Sequence, residues 1–124
     1  MSQALHGVVV GHGEVAAALI GAVEEISGIR GALAPVSNRG CDRDQLEQRI
    51  IDAVAARPTV VFVDMPSGSC LFAAMRRLKG QPDVAVVTGV NLAMLLDFLF
   101  HRDQTATEAA ARAVDTGLKA MGVR

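Results

Sequence analysis

Three apolar residues, Val8-Val9-Val10, run into Gly11-His12-Gly13, and between Glu14 and Ile26 the positions Val15, Ala18, Leu19, Ala22, Val23 and Ile26 recur at helical spacing. A short unbroken apolar run reads as a strand and the helical spacing as one face of a helix, so the chain opens as strand, tight loop, helix. The pattern then repeats. Ala32 to Val36 is a second apolar stretch, a polar loop holds Asn38, Gly40 and Asp42, and Leu46, Ile50, Ile51, Val54 and Ala55 mark a second helix. Thr59-Val60-Val61-Phe62-Val63 is the clearest strand, rich in β-branched residues and punctuated by Pro58. Asp64 ends it, Met65-Pro66-Ser67-Gly68-Ser69 forms a loop, and Leu71, Met75 and Leu78 mark a third helix. Val84 to Val87 predicts a fourth strand. Asn91 then caps a helix from Leu92 to about Phe100, and Thr105 or Thr107 opens another through the Ala-rich stretch to Val114.

Strands without polar alternation, separated by helices, indicate a parallel sheet covered on both faces. The expected fold class is therefore α/β: a doubly wound, four-stranded parallel sheet of order 2-1-3-4 with helices on both faces, formed by residues 1–124 as one domain. At the tail, Gly117 suits a left-handed helix end, and Leu118 to Val123 reads as a short edge strand.

With 12 basic and 13 acidic residues, the chain carries no overall field that would attract nucleic acid or an anionic bilayer. No stretch approaches the roughly 20 apolar residues that span a membrane. The first residues lack a basic region followed by an apolar signal core, so the expected location is the cytoplasm. In that reducing compartment Cys41 and Cys70 are expected to be free thiols. Neither a cofactor nor a metal ion is expected.

In doubly wound sheets, reactive groups gather at the carboxyl ends of the strands where the strand order reverses. That rule selects His12, after the first strand, and Asp64, after the third. A carboxylate that accepts a hydrogen bond from one ring N–H fixes the imidazole tautomer and leaves the other nitrogen as a nucleophile. A phosphoryl group received there needs donors, which Gly13 and the helix start after it, and Ser67, Gly68 and Ser69, are placed to supply. Blander readings stand beside these. His12 could be an ordinary loop residue, Asp64 a helix cap, and Ser69 the N-cap of the third helix. His6 and His101 read as structural, Glu24, Glu25, Arg76, Arg77 and Lys79 as solvated helix faces, and Met75, Met94 and Met121 as core filler.

Three segments carry a family resemblance: Val8 to Ala16 with Gly11-His12-Gly13, Phe62 to Ser69 with Asp64, and Val87-Thr88-Gly89-Val90-Asn91-Leu92-Ala93-Met94-Leu95-Leu96. Together they resemble the signature regions of the mannose/fructose/sorbose-type IIA components of the sugar phosphotransferase system (PTS), in the family's order and across almost the whole chain. The resemblance implies a phosphoryl carrier, a phosphotransferase with a phosphohistidine intermediate. His12 would take phosphate on Nε2 from the phosphocarrier protein HPr and pass it to a IIB component. Asp64 would orient His12, and Ser69 would contact the phosphate. It further implies a homodimer in which the C-terminal strand pairs antiparallel with the partner's sheet, and contact with a membrane only through a IIC/IID permease. The loop departs from the family pattern, since Ser67-Gly68-Ser69-Cys70 replaces the usual double glycine, serine and proline, and the aromatic residue usual just after the aspartate is missing.

Three other functions remain open. Gly11-His12-Gly13-Glu14-Val15-Ala16 fits the dinucleotide pattern G-x-G-x-x-G/A, although no acidic residue between Glu25 and Asp42 is available to hold a ribose. The phosphotransferase subunit of dihydroxyacetone kinase resembles the same fold with an equivalent histidine. A regulatory protein that reports phosphorylation state would use the same histidine chemistry.

Overall fold

The computed structural model describes residues 4–124. The elements follow one another as β1 (His6–Gly11), α1 (Val15–Ser27), β2 (Leu33–Ser37), α2 (Arg43–Val54), β3 (Thr59–Val63), α3 (Ser69–Leu78), β4 (Val84–Thr88), α4 (Leu92–Leu99) and α5 (Ala106–Ala120). The strands form one parallel sheet, as the hydrophobic pattern predicts, and their order is the expected β2-β1-β3-β4.

Successive strand residues point to opposite faces, and this divides the core in two. Val9 and Phe62 face α1, α4 and α5, where Phe98 meets the Phe62 ring edge-on at 5.3 Å. Val8, Val10, Val61 and Val63 face α2 and α3. Each central strand is therefore apolar on both faces, which is why β3 shows no alternation. Pro35, which has no N–H to donate, is tolerated because β2 lies at the edge of the sheet.

Helix ends follow local chemistry. Asp42 and Thr105 each close a reciprocal capping box, with Gln45 and Glu108, and Asn91 caps α4 by accepting the Met94 N–H. Three expectations are corrected here. First, Gly117 does not end α5, which continues to Ala120, and the edge strand expected over Leu118 to Val123 is not formed. The reason is tertiary: Gly117 is where α5 crosses α4, and a Cβ there would lie 2.6 Å from Met94 Cγ. Second, the buried face of α3 is Cys70, Ala73, Ala74 and Leu78, while Met75 and, after α5, Met121 are exposed. Small side chains let α3 approach the sheet closely, and Phe72 and Met75 are left outward. Third, Arg76 and Arg77 are not merely solvated. Both reach the carboxylate of buried Glu47 on α2, at 3.5 Å each.

Candidate functional site

The parallel register between β1 and β3 pairs Val10 with Val63, so the residues that leave the two strands together are Gly11-His12 and Asp64. The Asp64 N–H donates to Val10 O at 3.1 Å and extends the ladder one step past the strand ends. The His12 main-chain N–H donates to Asp64 Oδ2 at 3.0 Å, and His12 Nδ1 lies 2.8 Å from the same oxygen. Gly11 leaves room for this crossing: a Cβ there would sit 3.3 Å from the Ala16 amide nitrogen and 3.6 Å from Asp64 Oδ2.

Burial, the largest single influence on the Asp64 carboxyl, pushes its pKa up. The His12 ring and main-chain hydrogen bonds, the ring's charge and the Met65 amide together outweigh that and hold it below the ordinary value. The carboxyl is therefore ionised near neutrality and can only accept, which makes His12 Nδ1 the donor; in the neutral form of the ring this leaves the Nε2 lone pair free. The His12 side chain is 44% exposed and that of Asp64 12%, so the ring is held from the protein side and open toward solvent.

The loop after β2 holds the histidine from the other side. Ser37 Oγ donates to Gly13 O at 2.7 Å, Asn38 Oδ1 accepts the Gly13 N–H at 3.1 Å, and Arg49 donates to the carbonyls of Ser37 and Arg39. Gly13 has φ +59°, which a side chain would strain, and an Arg39 guanidinium nitrogen lies 3.1 Å from where its Cβ would be. Arg39 also approaches Glu14 at 3.6 Å, between two exposed side chains.

Ser67, Gly68 and Ser69 lie at the start of α3. The N-cap is Gly68, at φ 97°, rather than Ser69, and no side chain caps the helix. The first N–H groups of α3 therefore lack a capping acceptor at the positive end of the helix dipole, the usual setting for an anion. The first turn abuts the histidine, with Cys70 Sγ 3.8 Å from His12 Nδ1. Burial first, then the Asp64 charge, raises the Cys70 thiol to about 11. Cys41 and Cys70 are both free thiols, as expected.

Beside this loop lies an open groove of about 620 Å³, lined by Pro66 to Ser69 together with Arg43, Leu71, Phe72 and Met75. The Arg43 guanidinium sits 4.9 Å above the Phe72 ring. Away from the site, His101 Nδ1 bonds Asp97 O at 2.8 Å. Sequence reasoning missed Ser37, Asn38, Arg49 and Cys70. Asn38 stands next to a strand end on the side where His12 emerges, which was the one available signal.

A parallel α/β sheet that presents a carboxylate-oriented imidazole and an uncapped helix start at its switch point defines a class: proteins built to hold a nucleophilic histidine beside an anion. Residues 7–115 match the family described as the PTS system fructose IIA component. The chain belongs to this family, the mannose/fructose/sorbose-type IIA components, and is a phosphoryl carrier of the phosphotransferase chain, with HPr and a IIB component as the partners its family implies. No curated protein matches it.

Among solved structures, it is similar to the mannose/sorbose-specific IIA subunit from Enterococcus faecalis, at 23% identity and TM-score 0.81 over 98% of this chain and 96% of that one. The EIIA component from Streptococcus agalactiae superposes with TM-score 0.88 at 14% identity, covering 96% of each chain. The IIA protein associated with the fucose utilization operon of Streptococcus pneumoniae gives 0.68 at 18%, over 93% of each. At these identities the likeness concerns the fold. No helix among the described residues is long and apolar enough to cross a membrane.

Proposed function

We propose that His12 is the residue that carries the phosphoryl group, through Nε2, with Asp64 as its orienting partner. The observation that supports this most directly is the 2.8 Å hydrogen bond from His12 Nδ1 to a carboxylate held in its ionised form. The Nε2 lone pair attacks the phosphorus of phospho-HPr, the P–N bond to the donor breaks, and the donor imidazole leaves with its electron pair. As the His12 ring gains positive character, Asp64 stabilises it without taking the proton. Amides at the start of α3, together with Ser67, Gly68 and Ser69, receive the phosphoryl oxygens. Gly13, whose own N–H is taken by Asn38, contributes close backbone approach, and Arg39 above it adds positive charge. Onward transfer to a IIB component reverses the step, in the cytoplasm.

The groove beside the loop, with Phe72 and Met75 exposed, together with exposed Met65, offers the carrier domains an apolar contact surface next to the histidine. We further propose that the chain acts as a homodimer joined through its C-terminal segment, where Leu118, Met121 and Val123 are exposed and β4 is an edge strand. Residues 121–124 are the part left free to extend.

The test is incubation with labelled phospho-HPr followed by mass spectrometry of the protein. Label is expected on His12 and none in His12→Ala. Label on His6 or His101 in the wild type would overturn the assignment.

A further inference from the structure

Three potential metal ligands of different chemistry converge at the site. His12, Asp64 and Cys70 each offer one ligand atom, and these atoms all lie within 4.8 Å of one another. Nδ1 is 2.8 Å from Asp64 Oδ2 and 3.8 Å from Cys70 Sγ. A tetrahedral ion with bonds of about 2.0 to 2.3 Å spaces its ligands roughly 3.3 to 3.6 Å apart. The observed triangle needs the first pair to open by about half an ångström and the third edge, from Cys70 Sγ to the Asp64 carboxylate and bounded by 4.8 Å, to close by up to about 1.2 Å, movements that rotation of the Asp64 and Cys70 side chains supplies. The second carboxylate oxygen, Asp64 Oδ1, is buried without a hydrogen-bond partner among the described residues, so this corner of the site has spare acceptor capacity. Cys70 has no assigned part in phosphoryl transfer, yet it is directed at the ring nitrogen opposite the one that transfer requires.

We propose that His12 Nδ1, the Asp64 carboxylate and Cys70 Sγ form a binding site for a divalent metal ion of the zinc class, and that the protein so occupied cannot accept phosphate. One thiolate, one imidazole and one carboxylate suit zinc among common divalent ions, whereas magnesium and calcium prefer oxygen alone. Water fills the fourth position. Beginning from the neutral ring, binding expels one proton: Cys70 loses its thiol hydrogen to solvent, while the ring hydrogen leaves Nδ1 and one is taken up at Nε2. The Nε2 lone pair is then gone, because a neutral imidazole coordinated through Nδ1 carries its N–H on the other nitrogen. The metal also takes Asp64 away from its orienting role. This consequence for transfer rests on the reading of His12 as phosphoryl acceptor; the binding itself does not.

The binding arm uses cobalt(II) chloride titrated into the full-length protein. A near-ultraviolet thiolate-to-cobalt charge-transfer band should rise to one equivalent and be displaced by zinc chloride. It should be lost in Cys70→Ser, or in Cys70→Ala if the serine variant misfolds by circular dichroism, and kept in Cys41→Ser. Since changes outside the ligand shell commonly cost about 10- to 100-fold in metal affinity, losing Cys70 should weaken zinc binding by at least about 100-fold. No band in the wild type, or a band that survives replacement of Cys70, overturns the site.

The transfer arm uses pre-phosphorylated HPr, with the protein either saturated in zinc or treated with a chelator. At least about a tenfold slower initial phosphorylation in zinc is expected in the wild type, with a matching rise in the zinc needed for that effect in the Cys70 variant. Unchanged phosphorylation of zinc-saturated protein overturns the inhibition. Absence of phosphorylation in the chelated protein instead sinks the carrier reading of His12, and the cobalt titration still decides the metal site.

Discussion

At the residue scale, the proposed chemistry depends on one oxygen atom. Asp64 Oδ2 accepts both the main-chain N–H and the ring N–H of His12, so a single carboxylate sets the position of the loop and the tautomer of the ring. Asp64→Asn should retain the fold but turn an N–H₂ toward Nδ1, selecting the tautomer with its proton on Nε2. Transfer from phospho-HPr is expected to slow by about 10²-fold or more, the usual contribution of such orienting groups. Rapid-quench kinetics on a variant with native circular dichroism provides the check, and an unchanged rate would remove Asp64 from the mechanism. His12 and Asp64 were legible in the sequence because each follows an apolar run directly. Ser37, Asn38 and Arg49 were not, because their role consists of hydrogen bonds to the backbone of another loop, and polar residues in a loop carry no mark of which neighbour they will meet.

At the element scale, the informative departure is α5. Glycine near the end of an Ala-rich stretch predicts a left-handed stop, a local argument, and it was overruled by the need for two helices to approach closely. Gly117→Ala tests which effect dominates. Alanine improves intrinsic helix propensity by about 1 kcal/mol, whereas forcing a methyl against Met94 costs about 1 to 3 kcal/mol. Urea unfolding should show net destabilisation of up to about 2 kcal/mol, and Met94→Ala in the same protein should cost less than it does alone, since the cavity is partly filled. A Gly117→Ala protein more stable than wild type would mean that the α4–α5 crossing has slack. The same contrast explains α3. Leu71, Met75 and Leu78 looked like its inner face because they are large; Leu78 is buried, but Met75 is exposed and the sheet accepts Cys70, Ala73 and Ala74 because they are small.

At the scale of the whole molecule, stability should respond to pH through His6 at the start of β1. Burial first, then the charges of Arg57 and Arg102, lower its pKa in the folded protein. The unfolded chain takes up a proton below about pH 6.5, while the folded chain resists. Stability present above that pH is therefore lost as pH falls through the depressed folded value. Urea unfolding between pH 7.5 and 5 should show a decline that is shallower in His6→Gln; equal slopes would show that His6 contributes nothing. Deleting residues 117–124 should give monomer or aggregate by light scattering, and a stable full-length monomer at micromolar concentration would refute the proposed dimer. The sequence by itself determined the alternation of strands and helices, the parallel sheet and the segments that carry the family's pattern. Apolar periodicity reports which faces are covered, and turn residues report where the chain reverses. Tertiary structure alone decided which nitrogen of His12 is free, that Cys70 reaches its other nitrogen, that Glu47 collects Arg76 and Arg77, and that Gly117 stays helical. Each of these is a contact between elements remote in sequence, and its geometry exists only once the register of β1 against β3 and the packing of helices on the sheet have been set.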